Sequence, residues 1–251
     1  MPHRLYLGDC LEVLKNLPPA QCLFADPPDN INLGYGEYDD TKSYLDYTKL
    51  LLDWLCAFTD HSPIVWFSFN SKWTAEVGSM VCDIVGASMG ELEFKPCVQT
   101  FTFGQHSHYD LGNNHRPLWR LMKKGTPLYP DQIRVPSWRQ ENGDKRADPR
   151  GRVPGDVFDF TRVTGNSKQR RSWHPTQLNE DLVERCISMS TKEGDSVIDP
   201  FGGTGTTLRV CKRLKRPCTL IEIDKTYCGK IAEENGMKPI RSHSPAWSCR
   251  L

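Results

Sequence analysis

No stretch of this 251-residue chain stays apolar long enough to cross a bilayer, which sets aside a helical membrane protein. The N-terminus, MPHRLYLGD, has no basic-then-apolar signal pattern, so export is not expected. The ten cysteines contain no CxxC pair, and with no signal pattern they read as free thiols. His106 and His108 stand two apart, but no further ligand follows at zinc spacing, so no metal site is expected. Repeats and low-complexity tracts are also missing, which excludes a solenoid. Net charge is nearly zero, with 32 Lys and Arg against 31 Asp and Glu.

The charge is unevenly spread. Residues 116–172 hold 14 Lys or Arg against 6 Asp or Glu. A basic middle in an otherwise acidic chain fits a phosphate backbone; a solvated, loop-rich surface is the plainer alternative. Short apolar runs at 5–7, 22–25, 64–69, 98–103, 118–122, 196–198 and 218–223 predict strands. Helical spacing at 11–17, 45–58, 72–85, 178–189, 206–214 and 226–234 predicts helices between them. Strands alternating with helices predict an α/β parallel sheet. From 104 to 171 the periodicity fades into Gly, Pro, Asn, Arg and Trp, which predicts an insertion.

Two motifs stand at strand ends. Asp26-Pro27-Pro28-Asp29-Asn30 follows the second predicted strand, and Asp199-Pro200-Phe201-Gly202-Gly203-Thr204-Gly205-Thr206-Thr207 follows another. The glycines of the second suit a turn that a ligand approaches closely at the carboxyl end of a strand. A Walker loop needs a Lys after its glycine, and a dinucleotide loop needs a third glycine where Leu208 stands, so neither phosphate cradle fits. Glu222, near the end of the next strand, can accept hydrogen bonds from two ribose hydroxyls; an exposed strand-end acid is the other reading.

DPFGGTGTT followed by LIEID is similar to the S-adenosylmethionine (AdoMet) site of DNA methyltransferases that modify adenine N6 or cytosine N4. Trp173-His174-Pro175-Thr176-Gln177 resembles the HPTQ segment that precedes that loop in their β class, and Asp26-Pro27-Pro28 resembles their catalytic loop. The resemblance implies a circularly permuted, Rossmann-like AdoMet-methyltransferase sheet. Its parts would be a catalytic half at 1–103, a basic, loop-rich target-recognition insertion at 104–172, an AdoMet-binding half at 173–236 and a tail at 237–251. AdoMet would be held by Asp9, Thr176, Gln177, Asp199, Phe201, Gly203, Gly205, Thr206 and Glu222. Asp9 equally suits a helix N-cap.

The implied chemistry makes a specific demand. A base's exocyclic amine is a poor nucleophile because its lone pair is delocalised into the ring. The Asp26 carboxylate and the Pro27 carbonyl can accept its N–H groups and localise that lone pair, while the prolines fix the backbone. Asp26, Pro27, Pro28 and Asp29 are therefore the expected catalytic loop. The family carries an aromatic where Asp29 stands, so Asn30, Tyr35 and Tyr38 are expected around the base, with Trp66 and Phe69 as further aromatics. Arg120, Lys123, Lys124, Arg134, Arg139, Arg170 and Arg171 are the expected DNA contacts, and Trp119, Trp138 and Trp173 the candidate wedges.

The expected activity is site-specific methylation of adenine N6 in DNA, as in restriction–modification. Cytosine N4, an RNA or protein amine, and an inactive DNA-binding subunit stay open. DNA is the expected partner, a homodimer is left open, and no membrane is expected. A cytoplasmic location in a prokaryotic or viral setting is expected, or nuclear association in a eukaryotic host.

Overall fold

The computed structural model describes residues 2–36, 38–101, 107–165 and 167–241. In β2 (Cys22–Ala25) all four residues are buried, because side chains alternate and both faces of the strand are covered. Cys22 and Phe24 point into one apolar cluster, and Leu23 and Ala25 into another. β3 (Ile64–Ser68) repeats the split, with Ile64 and Trp66 on one side and Val65 and Phe67 on the other.

Before β2 come β1 (Arg4–Leu7) and α1 (Cys10–Leu14); α2 (Tyr44–His61) joins β2 to β3. α3 (Thr74–Ala87), β4 (Leu92–Lys95), β5 (Val98–Thr100) and β6 (His115–Lys123) follow. A short α4 (Trp138–Glu141) and β7 (Val157–Asp159) lead to α5 (Glu180–Ser190), β8 (Val197–Asp199), α6 (Thr206–Leu214), β9 (Cys218–Glu222), α7 (Lys225–Asn235) and β10 (Ile240–Arg241). The sheet order is β10-β1-β9-β8-β2-β3-β6-β5-β7, with β4 also paired to β6. The run from β10 to β3 is parallel, and β6 is antiparallel to β3, β4 and β5. α1, α2 and α3 cover one face and α5, α6 and α7 the other, giving three layers.

The α/β expectation holds, but two boundaries move. Residues 104–172 are not wholly an insertion, because β6 lies inside the main sheet, where Phe67 pairs with Trp119 and Ser68 with Leu118. Residues 240 and 241 are not tail, because β10 adds to the edge of β1. The strand expected at 98–103 is observed at Val98–Thr100; 102 and 103 lie outside the described residues. Among the described residues no helix is long and apolar enough to cross a membrane, and no His, Cys, Asp and Glu group is arranged to hold a metal. The nine described cysteines are free.

Tyr47 joins the core to the loop that leaves β2. It is fully buried on α2, packs against Trp73 and donates its hydroxyl proton to the Pro28 carbonyl. Tyr47→Phe keeps the ring and removes that bond. Urea unfolding should show a loss of about 0.5–1.5 kcal/mol, without a change in slope.

Candidate active site

β2 and β8 lie side by side and run the same way, with Cys22 opposite Val197 and Leu23 opposite Ile198. Their carboxyl ends therefore open onto the same crevice, the usual place for a ligand in a sheet of this kind. Here it is a cavity of about 630 Å³ walled by both motif loops. Asp26, Pro27, Pro28 and Asp29 line one side, and Asp199, Phe201, Gly203, Thr206 and Glu222 another.

On the first side, Asp26 and Asp29 converge on Arg116, the second residue of β6. Its guanidinium donates to Asp26 Oδ1 at 2.7 Å and to the two Asp29 oxygens at 2.7 and 2.9 Å. Its Nε donates to Ser68 Oγ at 2.7 Å. Burial pushes the Asp26 carboxyl above the usual range, and the Arg116 charge opposes that push. The paired acids hold Arg116 well above its ordinary value, against the burial that lowers it. Trp73 Nε1 donates to the Asp29 carbonyl at 2.8 Å, which fixes the backbone there.

The following loop is organised by one acid. Asp40, 4% exposed, accepts the backbone N–H groups of Asn30, Ile31 and Leu33 at 2.8, 3.1 and 2.9 Å. Asn30 does not face the cavity. Its amide pairs with the backbone of Lys42 in both directions, at 2.7 and 2.9 Å, and so closes the loop base. Tyr35 lines the cavity with its ring 5.7 Å from that of His174 and its hydroxyl 3.4 Å from Thr176 Oγ1. Tyr38 lines it too, and its buried hydroxyl has no hydrogen-bond partner among the described residues. Gly36 sits at φ +54° against Asp224; a Cβ there would lie 2.2 Å from Asp224 Oδ2. The loop thus reaches from the β2 end to the segment after β9.

On the second side, the turn from β8 to α6 uses left-handed backbone at Gly203 (φ +52°) and Gly205 (φ +71°), which explains glycine at both. Gly203 reaches the cavity; Gly205 caps α6 and faces Ile231 instead. Glu222 Oε2 accepts the Gly203 N–H at 2.7 Å, and Oε1 accepts the Asp224 N–H at 2.8 Å. Each carboxylate oxygen keeps lone-pair capacity for a ligand. Burial raises Asp199 and Glu222 to about 7 each. Asp9 N-caps α1, accepting from Leu11 and Glu12 at 2.9 and 3.2 Å, and also lines the cavity. Phe201 packs edge-on against Trp54 at 5.0 Å. Thr206 Oγ1 lies 2.9 Å from Thr204 Oγ1. Gln177 lines the cavity, but its amide is engaged by backbone, accepting from Arg171 N at 2.8 Å and donating to Gln169 O at 2.6 Å. It buttresses the 169–171 segment.

The basic residues divide sharply. Arg170 lines the cavity, with its guanidinium donating to Arg171 O at 2.8 Å. Arg171 is not an open cation, because its Nε donates to Glu234 on α7 at 2.9 Å. Arg134 is tied to Asp131, Asp148 and the Gly151 carbonyl. Arg120 lies over the Trp66 ring, 5.7 Å from its centroid, on a face of the sheet rather than at the cavity. Lys123, Lys124 and Arg139 are exposed but do not line it. Of the candidate wedges, Trp119 is buried against Phe69 and Phe94, and Trp173 packs on Tyr227; Trp138 is 73% exposed. Trp66 and Phe69 are core residues and cannot meet a base.

A family model described as DNA methylase (N6_N4_Mtase) matches residues 20–234. The chain belongs to the DNA methylase family. The Type II methyltransferase M.HpaI of Haemophilus parainfluenzae is 31% identical to the methylase over 235 residues, covering 90% of it and 72% of the relative. The chain spans 65% to 78% of the length of four curated Type II relatives. The PvuII DNA methyltransferase, described as cytosine-N4-specific, has a similar fold, with a TM-score of 0.68 at 17% identity, covering 92% of the methylase and 86% of that chain. An M1.HpyAVI–SAM complex matches with a TM-score of 0.61 at 19% identity, covering 92% and 98%.

Sequence reasoning missed Arg116 in the methylase. It was visible only as the first cation of a basic stretch. The usable signal was a lone Arg two residues before the apolar run of β6, beside strands that end in carboxylates. It also missed Asp40, whose role depends on three backbone groups that no spacing reveals. The docking at Gly36 is open to a direct check. Gly36→Ala places a side chain both in strained backbone and against Asp224, so the loop should lift. Limited proteolysis should then cut within 31–40 several-fold faster than in wild type, while the remaining sites keep their protection.

Proposed function

We propose that the protein transfers a methyl group from AdoMet to the exocyclic amine of a flipped base in DNA, adenine N6 being the first reading. One observation carries this: the two acids of the β2 loop and the Gly203 turn of the β8 loop share the walls of a single cavity. The chain order, β2 loop before β8 loop, fits the permuted β-class arrangement.

The donor set suits AdoMet. It offers a carboxylate, Glu222, for ribose hydroxyls, a close backbone turn at Gly203 and an orphaned Tyr38 hydroxyl. Glu222, Gly203, Asp9 and Tyr38 would hold the nucleoside end, and Thr176 with the His174 segment the amino-acid end. When bound, AdoMet supplies an electrophilic methyl on sulfonium. Asp26 accepts one N–H of the amine and Pro27 O the other, which localises the nitrogen lone pair toward the methyl. The Pro28 carbonyl, by contrast, is turned to the core, where it accepts from the buried Tyr47. Arg162 and Arg170, both on the cavity wall, are the cations best placed for the DNA backbone beside the extruded base.

The experiment is methylation of mixed-sequence duplex DNA followed by nucleoside mass spectrometry. N6-methyladenine is the expected product. N4-methylcytosine would select the second reading. Methylated RNA or protein with unmodified DNA would overturn both. Asp26→Ala should lower the single-turnover rate by orders of magnitude and leave AdoMet affinity within about twofold.

AdoMet affinity should also depend on pH. Below about 7 Glu222 takes up a proton and loses an acceptor, so binding weakens as the pH falls. The dissociation constant should rise by up to about tenfold per pH unit below that point. Calorimetry on Glu222→Gln should show weaker binding and a flatter dependence, the residue of the slope belonging to Asp199.

A further inference from the structure

Asp29 is the departure from the family's catalytic loop, and the structure gives it an occupation. It holds the Arg116 fork through two parallel hydrogen bonds, 2.7 and 2.9 Å long. The same guanidinium reaches Asp26 Oδ1 at 2.7 Å and Ser68 Oγ at 2.7 Å. Of the five N–H donors of an arginine, four are therefore assigned, and the plane of the group is fixed. Asp26 nonetheless keeps 27% of its side chain exposed, against 10% for Asp29. One acid faces the cavity and the other anchors the cation.

We propose that Arg116 is a positioning residue for methyl transfer: anchored by Asp29, it keeps Asp26 ionised and fixed in orientation, so that Asp26 accepts a hydrogen bond from the amine without becoming its base. This rests on the reading of Asp26 as the amine acceptor. The charge logic is direct. Two carboxylates this close in a half-buried wall do not both stay ionised without a cation between them. A proton on Asp26 would turn the acceptor into a donor. It would then compete for the lone pair that must attack the methyl group. Arg116 removes that idle state, and Asp29 supplies the second carboxylate that the fork needs to lie flat.

The groups that act on Asp26 come from several elements. Arg116 on β6 favours its charged form; Asp29 in its own loop opposes it. Asp199 at the end of β8 is close enough to feel its charge, as is Tyr35 across the loop. Ser68 on β3, which accepts from Arg116 Nε, also favours its charged form. Among these groups of the described residues, Arg116 supplies the positive charge.

The test is the pH dependence of single-turnover methylation of duplex DNA at saturating AdoMet. Wild type, Arg116→Gln, Arg116→Lys, Asp29→Asn and Asp26→Ala are compared, with melting temperature and AdoMet affinity recorded for each. In Arg116→Gln the acid limb of the rate profile should move up by about one to three pH units. In Asp29→Asn it should stay or move down, because a like charge has gone while the cation remains. Arg116→Lys should keep the wild-type limb at a lower rate, since it retains the charge and loses the fork. This pattern distinguishes electrostatic positioning from a merely structural bond, whose loss would lower the rate in all three without moving any limb. An Arg116→Gln limb that coincides with wild type overturns the proposal, as does an upward shift in Asp29→Asn. If Arg116→Gln does not fold, the Lys and Asn variants decide: an upward shift in either one overturns it. Asp26→Ala, which removes the acceptor, separates the two readings. Inactive Asp26→Ala with an unmoved Arg116→Gln limb sinks only the role of Arg116, whereas active Asp26→Ala sinks the acceptor reading and this inference together.

Discussion

The site depends on the parallel pairing of β2 with β8. These strands lie far apart in sequence, yet Cys22 faces Val197 and Leu23 faces Ile198 at the middle of the sheet. Neither loop has a partner without that pairing. It puts the Asp26 loop and the Gly203 turn at the same end of the same layer, and burial of both strands on both faces makes the register expensive to shift. The flanking helices then have one place to go, and the cavity is what remains between the loops.

Electrostatics on the two walls follows different rules. On the cofactor side, Asp199 and Glu222 are buried and accept from backbone N–H groups, and burial raises both. On the catalytic side, a guanidinium brought in by an antiparallel strand neutralises much of the same cost. β6 is therefore part of the chemistry as well as the sheet. Its direction matters: only its N-terminal end, where Arg116 lies, comes level with the carboxyl ends of β2 and β3.

The fold was legible where burial leaves a period. β2, β3, β8 and β9 are apolar on both faces and read as unbroken runs, and α2 and α6 carry apolar positions at helical spacing. β4, β7 and β10 were not legible, because they are short, largely exposed pieces whose reason for being strands is a neighbour distant in sequence. β6 was seen as a strand and assigned to the wrong unit, since an apolar run does not say which sheet takes it. In the site, the glycines and acids could be found because their residue types are tied to a chemistry. Which polar groups were already engaged could not. Gln177 and Arg171 have the right types for a ligand and for DNA, and the structure commits them to Gln169 and to Glu234.

The place of β1 bears on how the chain is made. β1 sits between β9 and β10, the last strands in chain order among the described residues. β2 likewise waits for β8. Throughout synthesis the early part of the chain therefore carries apolar strands with bare edges, the form most inclined to pair with the wrong neighbour. Only β8, β9 and β10 close those edges. Loss of β9 and β10 would therefore expose β1 on both edges, a larger effect than their seven residues suggest.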